Sequence, residues 1–282
     1  MTKPDKDNAT SPFIHIRARK GWELIDFSEL KEYRDLFYFL VLRDIKVRYK
    51  QTVLGGLWAI IRPFFSMVVF TLFFGKLAKM PSDGVPYPVF NYTAMVAWTY
   101  FAGAVSGAGN SVIGNANLIS KVYFPRLIIP SSRVLAGLLD FSIAFFVLIG
   151  MMLYFHIYPT PMMLFVPVLV FLMIFSATGV GTFLAALNTK YRDIRYTIPF
   201  LVQLWMFSSP IVYPVSLVPE KYRLLYALNP MAGVIEGFRS VLLGTVSFPT
   251  HMLLISAIVS ITLFTLGLFY FKRVERYFAD II

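Results

Sequence analysis

The chain has 282 residues, of which 57% are hydrophobic, 17% aromatic and 15% charged, with a mean hydropathy of +0.68. Soluble domains carry roughly 25% charged residues, so the composition excludes an ordinary soluble enzyme and indicates a polytopic membrane protein. A formal net charge of +11 would point to nucleic acid in a soluble chain; in a membrane protein it reflects basic cytoplasmic loops and anionic lipid, and no nucleic-acid partner is expected.

Residues 1–20 are polar and rich in Lys, Asp and Thr. They lack the apolar stretch and small-residue cleavage site of a signal peptide and read as part of a cytosolic amino-terminal arm, 1–33. From 34 to 52 the pattern turns amphipathic. Tyr38, Val41, Leu42, Ile45 and Tyr49 recur at helical spacing, Arg43, Lys46 and Lys50 take another face, and Asp44 is placed to pair with Arg48 four residues on. This is the profile of an interfacial helix; a solvated helix packed on another subunit is the alternative.

A bilayer core of about 30 Å takes about 20 mostly apolar residues per helix. Six stretches qualify: 57–77, 90–113, 128–154, 162–187, a short fifth at 197–213 that ends in Ser209-Pro210, and 251–271. Residues 214–248 mix Pro, Gly, Glu220, Lys221, Arg223, Glu236 and Arg239 with apolar residues, and 234–243 is too short and too charged to span. A re-entrant or interfacial helical pair is expected there, because irregular backbone at membrane depth must be protein-buried or line water. The expected fold is therefore an all-α membrane protein. It has six transmembrane helices in a domain over 53–282, an amino-terminal amphipathic interfacial helix, and a re-entrant periplasmic pair between helices five and six.

Basic residues crowd the arm up to Lys50, the 114–127 loop (Lys121, Arg126), the 188–196 loop (Lys190, Arg192, Arg195) and the tail (Lys272, Arg273, Arg276), while the opposite loops hold few. The positive-inside bias then puts both termini in the cytoplasm.

Little in the chain can carry covalent chemistry. There is no cysteine, the three histidines (His15, His156, His251) are scattered, and no metal site or catalytic residue is expected. No G-x-x-x-x-G-K-[ST] phosphate loop occurs, so no nucleotide cofactor belongs to this chain. Asp140 is the one acid near the middle of a span, where a charge costs about 2.5–3.5 kcal/mol. With no evident partner it reads as a protonated or hydrogen-bonded structural acid in preference to a pathway contact. Arg62 and Arg133 lie near the ends of spans one and three, where they either snorkel or hold an anionic headgroup. Gly103-x-x-x-Gly107, flanked by Ala104 and Ala108, predicts close helix approach. Trp98, Phe101, Trp205, Phe207 and Tyr213 are belt residues, or faces on which sugar C–H surfaces slide. The run Asn117-Leu118-Ile119-Ser120-Lys121-Val122-Tyr123-Phe124-Pro125-Arg126 sets bulky apolar residues in a loop. That is a liability unless a cytosolic partner covers them; a short helix on the membrane surface is the alternative.

In order and spacing the chain resembles the ABC-2 type polysaccharide-export permeases. The residues are Leu42-Arg43-Asp44-Ile45-Lys46-Val47-Arg48-Tyr49-Lys50-Gln51-Thr52 with Leu54-Gly55, Trp58 and Pro63, then Asn117-Leu118-Ile119, Lys121, Phe124-Pro125-Arg126 and Pro130. Asn188, Tyr191-Arg192-Asp193, Ser209-Pro210-Ile211, Tyr213-Pro214, Asn229-Pro230-Met231, Glu236 and Arg239 complete them. The resemblance implies a homodimer that binds two copies of a separate cytosolic ATPase carrying ATP and Mg. Its substrate would be a lipid-linked polysaccharide: O-antigen on undecaprenyl pyrophosphate, with teichoic acid or capsule as alternatives.

The same resemblance assigns regions. Asn117, Leu118, Ile119, Lys121, Phe124, Pro125 and Arg126 would form the coupling helix. Arg43, Asp44, Arg48, Tyr49 and Arg62 would lie at the interfacial helix and lipid entrance, in contact with membrane lipids. Tyr191, Arg192 and Asp193 would be the cytoplasmic gate, and Ser209, Pro210, Asn229, Pro230, Glu236 and Arg239 the periplasmic gate. A charged residue at Phe124 is then expected to uncouple transport while leaving the chain inserted. The competing classes are a lipid or drug permease of the same fold, a membrane scaffold, and a polytopic enzyme on isoprenoid-linked sugars. The last would need a positioned acid, base or metal.

Overall fold

The protein was analysed as a computed structural model, which describes residues 31–50, 55–158, 160–244 and 247–278. The amino-terminal arm up to residue 30, and Gln51, Thr52 and Leu54 of the signature, lie outside the described residues. Among the described residues the chain is helical, with no strand.

Helix α1 (Arg34–Tyr49) comes first. A short 3-10 turn then leads into α2 (Trp58–Phe70), whose last part, Thr71–Leu77, widens to π-helical geometry. Next are α3 (Tyr87–Gly109), the short α4 (Ser111–Gly114) and α5 (Ala116–Lys121), and the long α6 (Ile128–Tyr154). Helix α7 (Val166–Lys190) and α8 (Ile194–Phe207) follow, then α9 (Glu220–Tyr226), α10 (Pro230–Leu243) and α11 (Thr250–Glu275). Local chemistry sets several ends. Asn229 caps α10 through Met231 N–H, Pro230 takes its first turn, and Gly244 closes it at φ 67°, a left-handed conformation that glycine adopts without a Cβ penalty.

Among the described residues, four helical stretches are long and apolar enough to cross a membrane: Gly55–Leu77, Ile128–Tyr154, Pro161–Lys190 and Thr250–Glu275. The other two expected spans differ for physical reasons. Helix α3 has 23 residues but carries Asn91, Tyr92, Thr93, Tyr100 and Ser106, and most of its side chains are buried. It runs through the middle of the bundle against α6 and α7, and a helix enclosed by protein has no lipid-facing side to keep apolar. Helix α8 has 14 residues, a rise of about 21 Å against a hydrocarbon core of about 30 Å.

The most extensive helix pair is α7 with α11. Their backbones touch at Gly179 and Gly267, where an added Cβ would meet main-chain atoms of the facing helix. The expected Gly103–Gly107 contact is not the close one: nothing lies within 4 Å of a Cβ at Gly103, and only Arg133 Cβ, at 3.9 Å, faces Gly107. At the next residue, Gly181 of α7 seats the Ala108 methyl, at 2.6 Å from its ideal Cβ position. Small residues do set the helix approach, but on the face of α3 next to the motif, that of Ala104 and Ala108.

A second, smaller core closes the end of the bundle that carries Lys121, Arg126, Lys190 and Lys272, called here the basic end. It joins Val112, Ile119, Phe124, Leu127 and Ile129 to Ala185 and Ala186 of α7 and to Leu268, Phe271, Val274 and Phe278. Helix α1 packs along α6 on the face of Leu40 and Asp44. Of the expected stripe, Val41, Leu42, Ile45 and Tyr49 are half-buried, while Tyr38 is 66% exposed. The ion pairs that α1 makes with α6 set its rotation.

Candidate functional site

Three groups of residues carry the polar structure of the bundle. The first is the seam between α1 and α6. Asp44, 1% exposed, receives Arg43 Nη2 at 3.0 Å and Arg133 Nε at 3.2 Å, and Ser132 Oγ donates to it at 3.2 Å. Arg48 and the Tyr49 hydroxyl both donate to Asp140. One expectation is thereby corrected, and the reading of Asp140 as a hydrogen-bonded structural acid is borne out. Asp44 pairs with Arg43 and Arg133, and Arg48, expected to be its partner, reaches the other helix. Asp140 has partners, supplied by residues 91 and 92 positions earlier. Arg133 turns to Asp44 and is not free to snorkel. Arg62 stays exposed, with its guanidinium 5.7 Å from the Trp58 ring centroid.

The Asp140 contacts make a testable anchor. Asp140→Ala strands Arg48 beside an apolar helix. The pair is about one-third exposed, so solvent screens part of its value, and a loss of about 1–2 kcal/mol is expected. Thermal unfolding in lipid nanodiscs measures it. Asp140→Asn keeps one acceptor oxygen and should recover part of the loss; an unchanged midpoint in the alanine variant would show the anchor to be idle.

The second group is the 111–127 loop at the basic end. Asn117, Ser120, Lys121, Val122 and Tyr123 are exposed, Tyr123 by 72%. Leu118 is half-buried, Ile119 is 5% exposed and Phe124 3%, and Pro125 is buried. Arg126 reaches back to Glu275. The Phe124 expectation is therefore corrected: its ring sits in the smaller core, and a charge there opposes folding before it affects any partner. Nearby, Asn188 Nδ2 donates to Gly109 O at 2.9 Å and Asn110 Oδ1 at 3.1 Å, tying α7 to the start of the loop. Tyr191, Arg192 and Asp193, between α7 and α8, are all exposed, with Lys190 Nζ 5.2 Å from the Tyr191 ring centroid.

The third group lies at the opposite end, where the chain leaves α8 without regular structure at 208–214. Away from water such backbone needs every carbonyl satisfied. Arg239 Nη2 donates to Ile211 O at 3.0 Å and Nη1 to Tyr213 O at 3.4 Å. Asn91 Nδ2 donates to Ile211 O at 3.1 Å, and the Tyr87 hydroxyl to Val212 O at 2.7 Å. Arg239 is 1% exposed, lies 3.6 Å from the Phe90 ring centroid and pairs with Glu236 Oε2 at 3.7 Å. Burial pushes the Glu236 carboxyl up from the ordinary carboxylate range, and the Arg239 guanidinium pulls it back. Asn229 joins three segments: it accepts from Trp205 Nε1 at 2.8 Å and Met231 N–H at 3.1 Å, and donates to Ser208 O and Ser209 Oγ at 3.0 Å. Ser209, Pro210, Asn229, Pro230, Glu236 and Arg239 thus cluster as one cross-braced turn. Tyr87, Phe90 and Asn91 were missed, because within an apolar helix nothing in the sequence marks which polar residue meets a loop 120 positions away.

The expected channel aromatics divide. Trp98 is 3% exposed and Phe101 0%; Phe101 stands edge-on to Trp205 with centroids 5.0 Å apart. Rings enclosed in this way offer no face to a sugar, so Trp98 and Phe101 are packing residues. Phe207 is 60% exposed, and Trp205 and Tyr213 are half-buried. Among the described residues no group of three His, Cys, Asp or Glu side chains is arranged to hold a metal ion.

Several membrane-length helices around a buried central helix, with polar bracing at both ends, define a multi-pass membrane protein. The model of the ABC-2 type transporter family matches residues 35–243, and the chain belongs to that family. It is 29% identical over 216 residues to the O-antigen export system permease protein RfbA of Myxococcus xanthus, covering 76% of this chain and 82% of the relative. A protein of the same name from Klebsiella pneumoniae is 27% identical over 250 residues, 88% and 95% of the two chains. The polysialic acid transport protein KpsM of Escherichia coli is 26% identical over 246 residues, 84% and 92% of the two.

Proposed function

We propose that the chain is the membrane-spanning subunit of an ABC exporter that moves a lipid-linked polysaccharide, specifically an undecaprenyl-pyrophosphate-linked O-antigen, across the inner membrane. The observation that carries this reading is the extent of the likeness: 88% of this chain aligns with 95% of a protein named as an O-antigen export permease. Export of a capsular polymer is the second reading, favoured by the KpsM match.

In this reading α3 and α8 join the four apolar stretches to make six membrane helices, with an amino-terminal arm and α1 before them. The basic end and both termini face the cytoplasm, and the braced turn with α9 and α10 forms a re-entrant gate on the other side. The full burial of α10, Pro230 to Leu243, supports this, since a helix too short to span must be enclosed by protein. Helices α2 and α8 bury little of themselves, Pro63 and Met67 in one and Ile198 in the other. Their exposed faces carry Phe64, Phe65 and Phe73, and Phe200, Leu204 and Phe207. Two copies of the chain would bring these faces together, with the pathway between them.

The chain itself supplies positioning and a route. The energy comes from a separate cytosolic ATPase, two copies per dimer, which binds ATP and Mg and docks on the 117–126 loop. Nucleotide-driven movement of that loop would shift α2 and α8 as rigid bodies and open the route. Arg43 and Arg48 are held by Asp44 and Asp140, so the anchor pyrophosphate falls to Arg62 and Arg192, which make no ion pair among the described residues. Tyr191 and Asp193 stand beside that entrance.

The expected result of deleting the gene is accumulation of lipid-linked polymer on the cytoplasmic side, restored to the surface by the intact chain with its cognate ATPase. Sugar and anchor analysis of the retained material separates the two readings: a repeat-unit polymer on undecaprenyl pyrophosphate supports the first, a capsular polymer the second. No retained polymer would overturn both.

A further inference from the structure

The 111–127 loop contains two helices, α4 of 4 residues and α5 of 6 residues. Helices shorter than about 12–15 residues do not hold themselves in water, so the shape of this loop is imposed from outside it. The structure shows what imposes it. Glu275, the last residue of α11, clasps Arg126 at both its atoms of interest: Arg126 N–H donates to Glu275 Oε1 at 3.2 Å, and Arg126 Nη1 donates to Glu275 O at 2.6 Å. Lys272 Nζ, at 3.5 Å, holds the second carboxylate oxygen. Just beyond, Phe278 is fully buried, with its ring edge-on to Phe271 at 5.3 Å and the Arg126 guanidinium 5.9 Å from its centroid. Phe124, Ile119 and Leu127 pack into the same core.

The loop is thus divided by face. Its inward side, Ile119, Phe124 and the Arg126 clasp, is bound to the end of α11. Its outward side, Asn117, Ser120, Lys121, Val122 and Tyr123, is left exposed. The outward residues keep a defined shape only while the inward ones are held.

We propose that the end of α11, through Glu275 and Phe278, is a positioning element for the docking loop: it holds residues 117–123 in the shape that the cytosolic ATPase seats. This rests on the docking role proposed above for that loop. Because a partner binds only the competent shape, its affinity falls by the fraction of loops that retain it. Glu275 and Phe278 touch neither nucleotide nor polysaccharide; they act through the loop. The clasp also joins the loop to α11, and α11 is the main packing partner of α7, so movement of the loop is passed into the bundle by a second route besides α6.

The test uses the full chain in lipid nanodiscs, titrated with its purified cognate ATPase, together with hydrogen exchange over residues 116–127. Glu275→Ala removes the acceptor for Arg126 N–H, and a fall of about tenfold in ATPase affinity is expected. Amide exchange should rise in the loop alone, with α3 and α7 unchanged. Glu275→Gln keeps an acceptor oxygen and should stay close to the parent chain, whereas Phe278→Ala should behave like Glu275→Ala. Unchanged loop exchange in Glu275→Ala, or an equal fall in Glu275→Gln, would overturn the proposal. Should Phe278→Ala fail to fold, the Glu275 pair decides alone. The docking reading is tested separately by Lys121→Glu with Tyr123→Asp on the outward face: ATPase affinity unchanged there, with exchange raised in Glu275→Ala, would sink the docking role and leave the clasp standing.

Discussion

Gly267→Ala is expected to yield almost no folded protein, with a cost of at least about 3 kcal/mol in whatever survives. A Cβ at residue 267 would lie 2.0 Å from Gly179 O and 2.7 Å from its carbonyl carbon, and one at 179 would lie 2.5 Å from Leu263 O and Phe264 N. These are backbone atoms of two long helices, and no rotamer change moves them aside. The only relief is to separate α7 from α11, which also breaks the Ser176–Ser260 hydroxyl contact at 2.7 Å and the Phe175–Phe264 ring pair at 4.6 Å. In lipid, where burial of apolar surface against other helices gains little over contact with acyl chains, close packing of this kind carries much of the association. Yield of monodisperse protein and its thermal midpoint measure the effect. Gly103→Ala is the control: nothing lies within 4 Å of that Cβ, and a change within about 0.5 kcal/mol is expected. Equal behaviour of the two variants would mean that the helices do not touch at glycine.

Arg239→Ala should be the most damaging single change at the opposite end, with a loss of about 3–5 kcal/mol. Its guanidinium is the donor for the Ile211 and Tyr213 carbonyls and the counter-charge of Glu236, which is 3% exposed. Without it the irregular turn loses two braces and a buried carboxylate loses its partner. The pH dependence has a definite sign. Burial already raises Glu236, and Arg239 is the group that opposes this. In the variant the folded state holds its proton to higher pH than the unfolded state does. Stability is then greatest below the ordinary carboxylate range and falls as pH rises through the elevated value. Thermal melts of parent and variant across that range provide the measurement. The double variant Arg239→Met with Glu236→Leu, which removes both charges, should recover part of the loss; a double variant as unstable as Arg239→Ala would place the damage in the carbonyl contacts and not in the stranded acid.

Much of the bundle was legible because membranes impose a simple rule on composition. Runs of about 20 apolar residues located α2, α6, α7 and α11 to within a few residues, and the charge and short apolar run of 234–243 marked α10 as something other than a span. The rule reads exposure to lipid, and it weakens where a helix is shielded from lipid. Helix α3 shows this: enclosed on most sides, it tolerates Asn91, Thr93 and Tyr92, and two of its polar residues, Tyr87 and Asn91, brace the 208–214 turn. Periodicity read α1 only in part, for a related reason. It ranks faces by apolarity, whereas Asp44 and Arg48 turn the helix towards charges on α6.

At the sites the division is sharper. Ordered motifs picked out Asn117–Arg126, Asn229, Glu236 and Arg239, and the structure places these in two compact groups at the two ends of the bundle. Which side of each residue faces inward was not legible. Phe124 looked like an exposed docking residue because a loop position carries no record of what folds back over it, and Phe271 and Phe278 come from the far end of the chain.

The sequence by itself determined that this is a helical membrane protein, where its apolar helices run, and which loops carry its polar chemistry. These follow from transfer free energies summed over neighbouring residues. Only the tertiary structure decided that Asp140 is held by Arg48 and Tyr49, that Gly179 and Gly267 are the contact and Gly103 is not, and that the end of α11 clasps the 111–127 loop. Each of these depends on atoms within a few ångströms of one another but some 90 or more residues apart along the chain, or on which side of a helix a small residue faces, and neither is encoded in any local window.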